Sequence, residues 1–148
     1  ITLDQGIERM YDRMPLSEVN FLGIVMAIQS KTGGNLSEAL NNLGNALAAL
    51  GRDEEAIPCF RRALSANPRL PEALNNRGTC LRKQGKADEA MKCFRDAIAI
   101  NPAYAEAFYN LGNACKDKGL FDEAIAEYEN ALKQKPDYPE AWLNLGNA

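Results

Sequence analysis

Histidine is absent from this 148-residue chain. With it goes the side chain that most often serves as a general base or zinc ligand near neutral pH. The chain also lacks a Gly-x-Ser-x-Gly elbow and a Gly-x-x-x-x-Gly-Lys loop, so neither serine acylation nor phosphate cradling has a motif to rest on. Its four cysteines, Cys59, Cys80, Cys93 and Cys115, form no Cys-x-x-Cys pair, and without histidine they complete no zinc site. They read as reduced, partly buried small hydrophobes. Isolated Ser, Cys and Lys residues with no base at useful spacing do not make a nucleophile. No catalysis, metal or cofactor is expected.

Charge of one sign is also lacking. The 17 basic and 20 acidic residues are interspersed and leave a net −3, so no global field draws nucleic acid or an anionic membrane. No stretch approaches the roughly 18 consecutive apolar residues that cross a bilayer. The N-terminus does not have the basic-then-apolar layout of a signal peptide. A cytoplasmic location is expected, and the sequon Asn35-Leu36-Ser37 is then incidental.

What the chain does have is a phrase it says three times. Residues 37–70 are repeated at an offset of 34 by 71–104 and 105–138, and a fourth copy occupies 139–148. In register, the columns read Gly44, Gly78, Gly112 and Gly146; Gly51, Gly85 and Gly119; Ala56, Ala90 and Ala124; Phe60, Phe94 and Tyr128; Ala63, Ala97 and Ala131; Pro68, Pro102 and Pro136. A fixed period of this size marks a solenoid.

Each column has a physical reason. Gly51, Gly85 and Gly119 fall between two helical runs, where a residue free to take positive φ ends a helix. Gly44, Gly78 and Gly112 fall inside the first run, where glycine costs about 1 kcal/mol against alanine. They make sense if a neighbour crosses too close for a β-carbon, and Ala56, Ala90 and Ala124 do the same on the second run. Leu40, Leu43 and Leu47, then Ile57, Phe60 and Leu64, give each helix one apolar stripe. The prolines close each repeat. Ser37 is expected to cap a helix beginning at Glu38. Asp53-Glu54, Asp88-Glu89 and Asp122-Glu123 read as caps of the second helices, not as acid–base pairs. The unit is a helical hairpin that must stack on a neighbour to bury its stripe.

The pattern of Leu-Gly, Gly, Ala, aromatic, Ala and Pro at these spacings resembles the tetratricopeptide repeat (TPR) family over 37–148. The resemblance implies an all-α, right-handed solenoid of helix–turn–helix repeats. Two departures stand out: Arg77 replaces the leucine of the other copies and must snorkel its guanidinium outward, and Pro58 deletes a hydrogen bond or kinks a second helix.

Residues 1–34 do not obey the repeat and form a separate unit from the array of 35–148. Local signals predict a helical hairpin, with Thr2 or Asp4 capping a helix to about Met14 and a second helix running from Pro15 to about Lys31. Leu16, Val19, Leu22, Val25 and Met26 make its stripe, widened by Phe21, Ile24 and Ile28. The wording from about Gly6 to Leu43, with IQSKTGGNLSEALNNL at its end, resembles the cytoplasmic helical domain of type II secretion F-domain proteins in tight-adherence pilus platforms. Two resemblances meeting at SEALNNLG suggest a chimera joined at a shared helix. The repeats are no consensus design, because the second and third agree at only 11 of 34 positions.

For the TPR family, the resemblance implies that the first helix of each repeat lines a concave groove. Asn42, Asn76, Asn110 and Asn144 share one column; Asn45, Thr79, Asn113 and Asn147 share another, three residues on and therefore on the same face. Stacked repeats would align these amides as a ladder suited to the backbone of an extended peptide, as in the superhelix of O-linked N-acetylglucosamine transferase. The other reading is that they brace adjacent repeats. A chaperone-tail clamp is disfavoured, since Asn41 and Asn75 stand where its first lysine would be, and Glu72 and Glu106 near the others. Arg82, Lys83 and Lys116 bring some positive charge to mid-groove. At the C-terminal end Trp142 and Leu143 form an exposed patch that predicts self-association or a partner. The function expected is a non-enzymatic scaffold for a protein or peptide, without nucleic acid or membrane. The alternative is an engineered fusion with a structural or self-assembling role.

Overall fold

The computed structural model describes residues 36–148, which form seven helices. They are α1 (Leu36–Ala49), α2 (Asp53–Ala66), α3 (Pro71–Lys83), α4 (Ala87–Ile100), α5 (Ala105–Asp117), α6 (Phe121–Gln134) and α7 (Pro139–Gly146). The hairpin expected over 1–34, and the secretion-platform wording within it, lie outside the described residues. No strand occurs among the described residues. Helices pair as α1/α2, α3/α4 and α5/α6, and each pair stacks on the next. First helices of neighbouring repeats also approach one another, α1 with α3 and α3 with α5, while second helices do not to a comparable extent. The first helices therefore line the inner side of the stack.

The columns explain this packing. At the first turn Gly51 has φ 74°, its N–H donates to Ala48 O at 3.0 Å, and Arg52 N–H donates to Leu47 O at 2.9 Å. That pair of bonds closes the helix with a left-handed residue, which glycine adopts without a Cβ penalty. Gly85 and Gly119 repeat it at φ 77° and 76°. Inside the first helices, a Cβ on Gly44, Gly78 or Gly112 would lie 2.6, 2.6 and 2.7 Å from the rings of Phe60, Phe94 and Tyr128. Each aromatic is fully buried, with Ala56, Ala90 and Ala124 beside it in the same core. The ring of the second helix thus fills a notch that only glycine leaves open.

Several expectations are corrected. Ser37 lies within α1 and is buried, so it does not cap a helix starting at Glu38. The acid pairs are not caps either: Arg52, Lys86 and Leu120 hold the N-cap positions of α2, α4 and α6, with no side-chain cap bond. The acids occupy the first turn, where they still face the positive end of the dipole. Asp53 and Asp88 also pair across the seam, with Lys83 at 3.4 Å and with Lys118. Pro58 is accommodated in an unbroken α2. Arg77 is half-buried and its Nε is buried without a partner, so the side chain snorkels only in part.

All four cysteines are free and buried, more completely than the partial burial expected. Burial pushes the Cys59 thiol up to about 11 and, helped by the neighbouring Asp53 carboxylate, Cys80 up to about 12; Cys93 and Cys115 are also raised, again mainly by burial. Raised thiol pKa values mean that the native state keeps protons which the unfolded chain loses at about 8.5. Stability is therefore fully present below that pH and declines as pH rises toward 11–12. Denaturant midpoints measured from pH 7 to 10.5 should fall, and a variant with all four cysteines changed to alanine should show a flatter profile. Equal slopes would refute the assignment.

At the last helix, Trp142 and Leu143 are 57% and 65% exposed, although the indole N–H donates to Pro136 O at 3.0 Å. Gly146 stands in the notch column, yet nothing lies within 4 Å of its Cβ direction. Among the described residues, no helix is long and apolar enough to cross a membrane.

Candidate functional site

The inner face carries the asparagine columns, and the structure shows what they do. Three seams are held by amide pairs. Asn76 Nδ2 donates to Asn45 Oδ1 at 2.7 Å across α1/α3, and Asn110 Nδ2 to Asn75 Oδ1 at 3.0 Å across α3/α5. Across α5/α7, Asn144 Nδ2 donates to Asn113 Oδ1 at 2.9 Å and to Tyr109 Oη at 3.1 Å. The ladder is therefore engaged with itself, one repeat to the next. Asn42 is exposed, as are Asn45 and Asn147; Asn76, Thr79, Asn110, Asn113 and Asn144 are half-buried and keep an edge toward the groove.

Thr79 does not join the ladder, because its Oγ donates to Asn75 O within its own helix at 3.1 Å. Behind it, Asn75 is fully buried and also donates to Glu106 Oε1 at 3.4 Å. Asn113 accepts a second bond, from the Tyr128 hydroxyl at 2.8 Å. Burial pushes that hydroxyl's pKa up to about 12, so it stays a donor at any physiological pH. Asn41 and Asn75, the column where a tail-clamping lysine would stand, are 4% and 0% exposed and so do not line an open surface.

The expected mid-groove cations are mostly committed. Arg82 pairs with Asp117 at 2.8 Å and Lys83 with Asp53 at 3.4 Å, in both cases between repeats. Lys116 is half-buried and has no ion pair among the described residues. Partly exposed pairs of this kind are worth well under 1 kcal/mol each, but they remove positive potential from the face. Asp53 and Asp117 were not legible as groove residues, since each comes from a neighbouring repeat.

The groove deepens between its first two repeats. A shallow pocket of about 270 Å³ lies between α1 and α3, lined by Asn45, Ala48, Asn76, Thr79, Cys80 and Lys83. Four of these residues, Asn45, Asn76, Thr79 and Lys83, were singled out from the sequence. Ala48 and Cys80 supply its apolar surface and were not placed in the groove from the sequence. No cluster of three or more metal-ligating side chains occurs among the described residues.

Sequence models of the tetratricopeptide repeat match residues 37–70, 59–92, 78–119 and 112–148. Similar solved structures include the first TPR of Spaghetti (RPAP3) bound to the HSP90 peptide SRMEEVD, at 28% identity and TM-score 0.73, covering 75% of this chain and 88% of that one. The second TPR domain of human RPAP3, in complex with the HSP70 peptide SGPTIEEVD, is 29% identical with TM-score 0.70, covering 73% of this chain and 90% of that one. The Sgt2 TPR domain from Aspergillus fumigatus is 26% identical with TM-score 0.72, covering 75% of each chain. No curated protein sequence matches the chain.

Proposed function

Residues 37–148 of this chain belong to the tetratricopeptide repeat family, and from that premise we propose a non-enzymatic interaction scaffold that holds an extended peptide against its first helices. The pocket between α1 and α3 carries the reading: it places two primary amides, a threonine and a lysine around an apolar floor. Primary amides both donate and accept, which matches a peptide backbone and reads little of its sequence. Similar repeat domains are solved with bound peptides.

The charge of the partner differs from theirs. Those peptides end in EEVD, whereas here Arg82 and Lys83 are already paired with carboxylates. We infer a neutral, extended segment as the preferred occupant. The family models and the similar structures named above lend no support to the reading of the chain as a fusion.

A library of nonapeptides tests this, with SRMEEVD as a reference. Neutral extended members should bind saturably and more tightly than SRMEEVD. The variant Asn45→Ala/Asn110→Ala, checked for folding by circular dichroism, should bind at least about tenfold more weakly, since each lost amide contact is worth roughly 1 kcal/mol. Unchanged affinity in a folded double variant would return the asparagines to bracing alone.

A further inference from the structure

We propose that a peptide backbone enters the groove at the α1/α3 seam by an exchange of amide partners, with Asn41 taking the amide that Asn76 withdraws from Asn45. The inference rests on the groove reading above and names the residues that open its first subsite.

Asn41 is 4% exposed, yet its Oδ1 has no hydrogen-bond partner. An unpaired buried amide oxygen is costly, and such atoms are few in native structures. Repeat register identifies the partner it lacks. Asn75 holds the same column one repeat on, and its Oδ1 accepts from Asn110 Nδ2 at 3.0 Å. The equivalent donor for Asn41 is Asn76, which is turned instead to Asn45 at 2.7 Å. The third seam shows that one amide reaches both columns. There Asn144 Nδ2 lies 3.1 Å from Tyr109 Oη, in the column of Asn41, and 2.9 Å from Asn113 Oδ1, in the column of Asn45.

Among the three described seams, the first alone has an outer acceptor that can be given up. At the second seam the position is Thr79, whose hydroxyl is bonded within its own helix. At the third, Asn113 is also held by the Tyr128 hydroxyl at 2.8 Å. Phe60 stands in the place of Tyr128 and has no hydroxyl, so Asn45 is held by Asn76 alone. Asn45 is also exposed and lines the pocket.

When Asn76 swings to Asn41, its bond to Asn45 is exchanged for one to the buried oxygen. Among the described residues, the only other hydrogen bond its side chain has to carry along is the long one that its Oδ1 accepts from Asn75 Nδ2 at 3.5 Å. Asn45 is released with donors and acceptor together, able to accept from a peptide N–H and donate to a peptide C=O. Water satisfies the exposed Asn45 amide in the absence of peptide, and a peptide that bonds to Asn45 selects the placement in which Asn45 is free.

The test separates stability from affinity. Asn41→Leu removes the buried oxygen, so the denaturant midpoint should stay the same or rise, whereas Asn75→Leu, which breaks a made bond, should lower it. The tightest-binding nonapeptide from the library above should bind Asn41→Leu about five- to twentyfold more weakly than the parent chain. Asn41→Leu/Asn76→Ala should bind no more weakly than Asn76→Ala alone, because Asn41 acts through Asn76. Full affinity in Asn41→Leu, or additive losses in the double variant, would overturn the exchange and leave the groove reading intact. A library with no member that binds the parent chain would overturn both.

Discussion

Phe94→Ala should remove about 3–5 kcal/mol of stability, the upper range for truncating a buried aromatic. The reason lies in what faces the ring. Phe94 is fully buried and its edge rests in the notch of Gly78. A cavity shrinks when neighbouring side chains relax into it, and glycine has none to offer. Ala90, fully buried in the same core, is too short to reach across. The lost transfer energy and the cavity therefore add with little relief. Because Phe94 sits in the middle repeat, its loss also uncouples the repeats on either side. Denaturation followed by circular dichroism should show an earlier midpoint and a broader transition than the parent chain. A loss under about 1.5 kcal/mol would mean that the notch collapses, and the packing account would fail.

The second large effect is one of sign. Helix propensity alone predicts that Gly78→Ala stabilises α3 by about 1 kcal/mol. The packing predicts the reverse. The new methyl would sit 2.6 Å from Phe94 Cε1, against a ring buried on all sides. Overpacking of this kind costs about 1–3 kcal/mol, so the net change should be a loss of up to about 2 kcal/mol. Gly146→Ala is the matched control. It occupies the same column with nothing within 4 Å, so it should be neutral or slightly stabilising. Gly78→Ala/Phe94→Leu should recover part of the loss, since the smaller side chain vacates the space the methyl needs. If both alanine variants were equally stabilised, propensity would govern this column and close approach would not.

The repeat period carried most of the fold. Gly51, Gly78 and Phe94 each announced a geometric role through column position, because a turn or a notch is a local demand repeated three times. The helix starts were less legible. Ser37 and the Asp-Glu pairs are the right residue types for caps, but a cap is defined by one backbone position, and those positions went to Arg52, Lys86 and Leu120. The site was half legible. The columns placed Asn45, Asn76 and Asn110 on one face. Which amide meets which is set by side-chain rotamers across a seam: Asn76 reaches the acceptor 31 residues back, Asn110 the one 35 back. Likewise Arg82 and Lys83 looked like free cations, because their carboxylates come from adjoining repeats.

The neighbour-only stacking has a consequence for how the chain comes to be folded. Apart from short bonds at the repeat boundaries, such as Trp142 to Pro136, the inter-repeat hydrogen bonds and ion pairs join residues 30 to 35 positions apart. Helical architectures with such short-range contacts fold in microseconds to milliseconds. Translation supplies a further 34 residues only over about 2–7 s at ordinary elongation rates. Each hairpin, and its seam with the one before, can thus close long before the next repeat has left the ribosome. The array would grow in the order in which it is synthesised, with each new glycine notch filled as soon as its aromatic emerges.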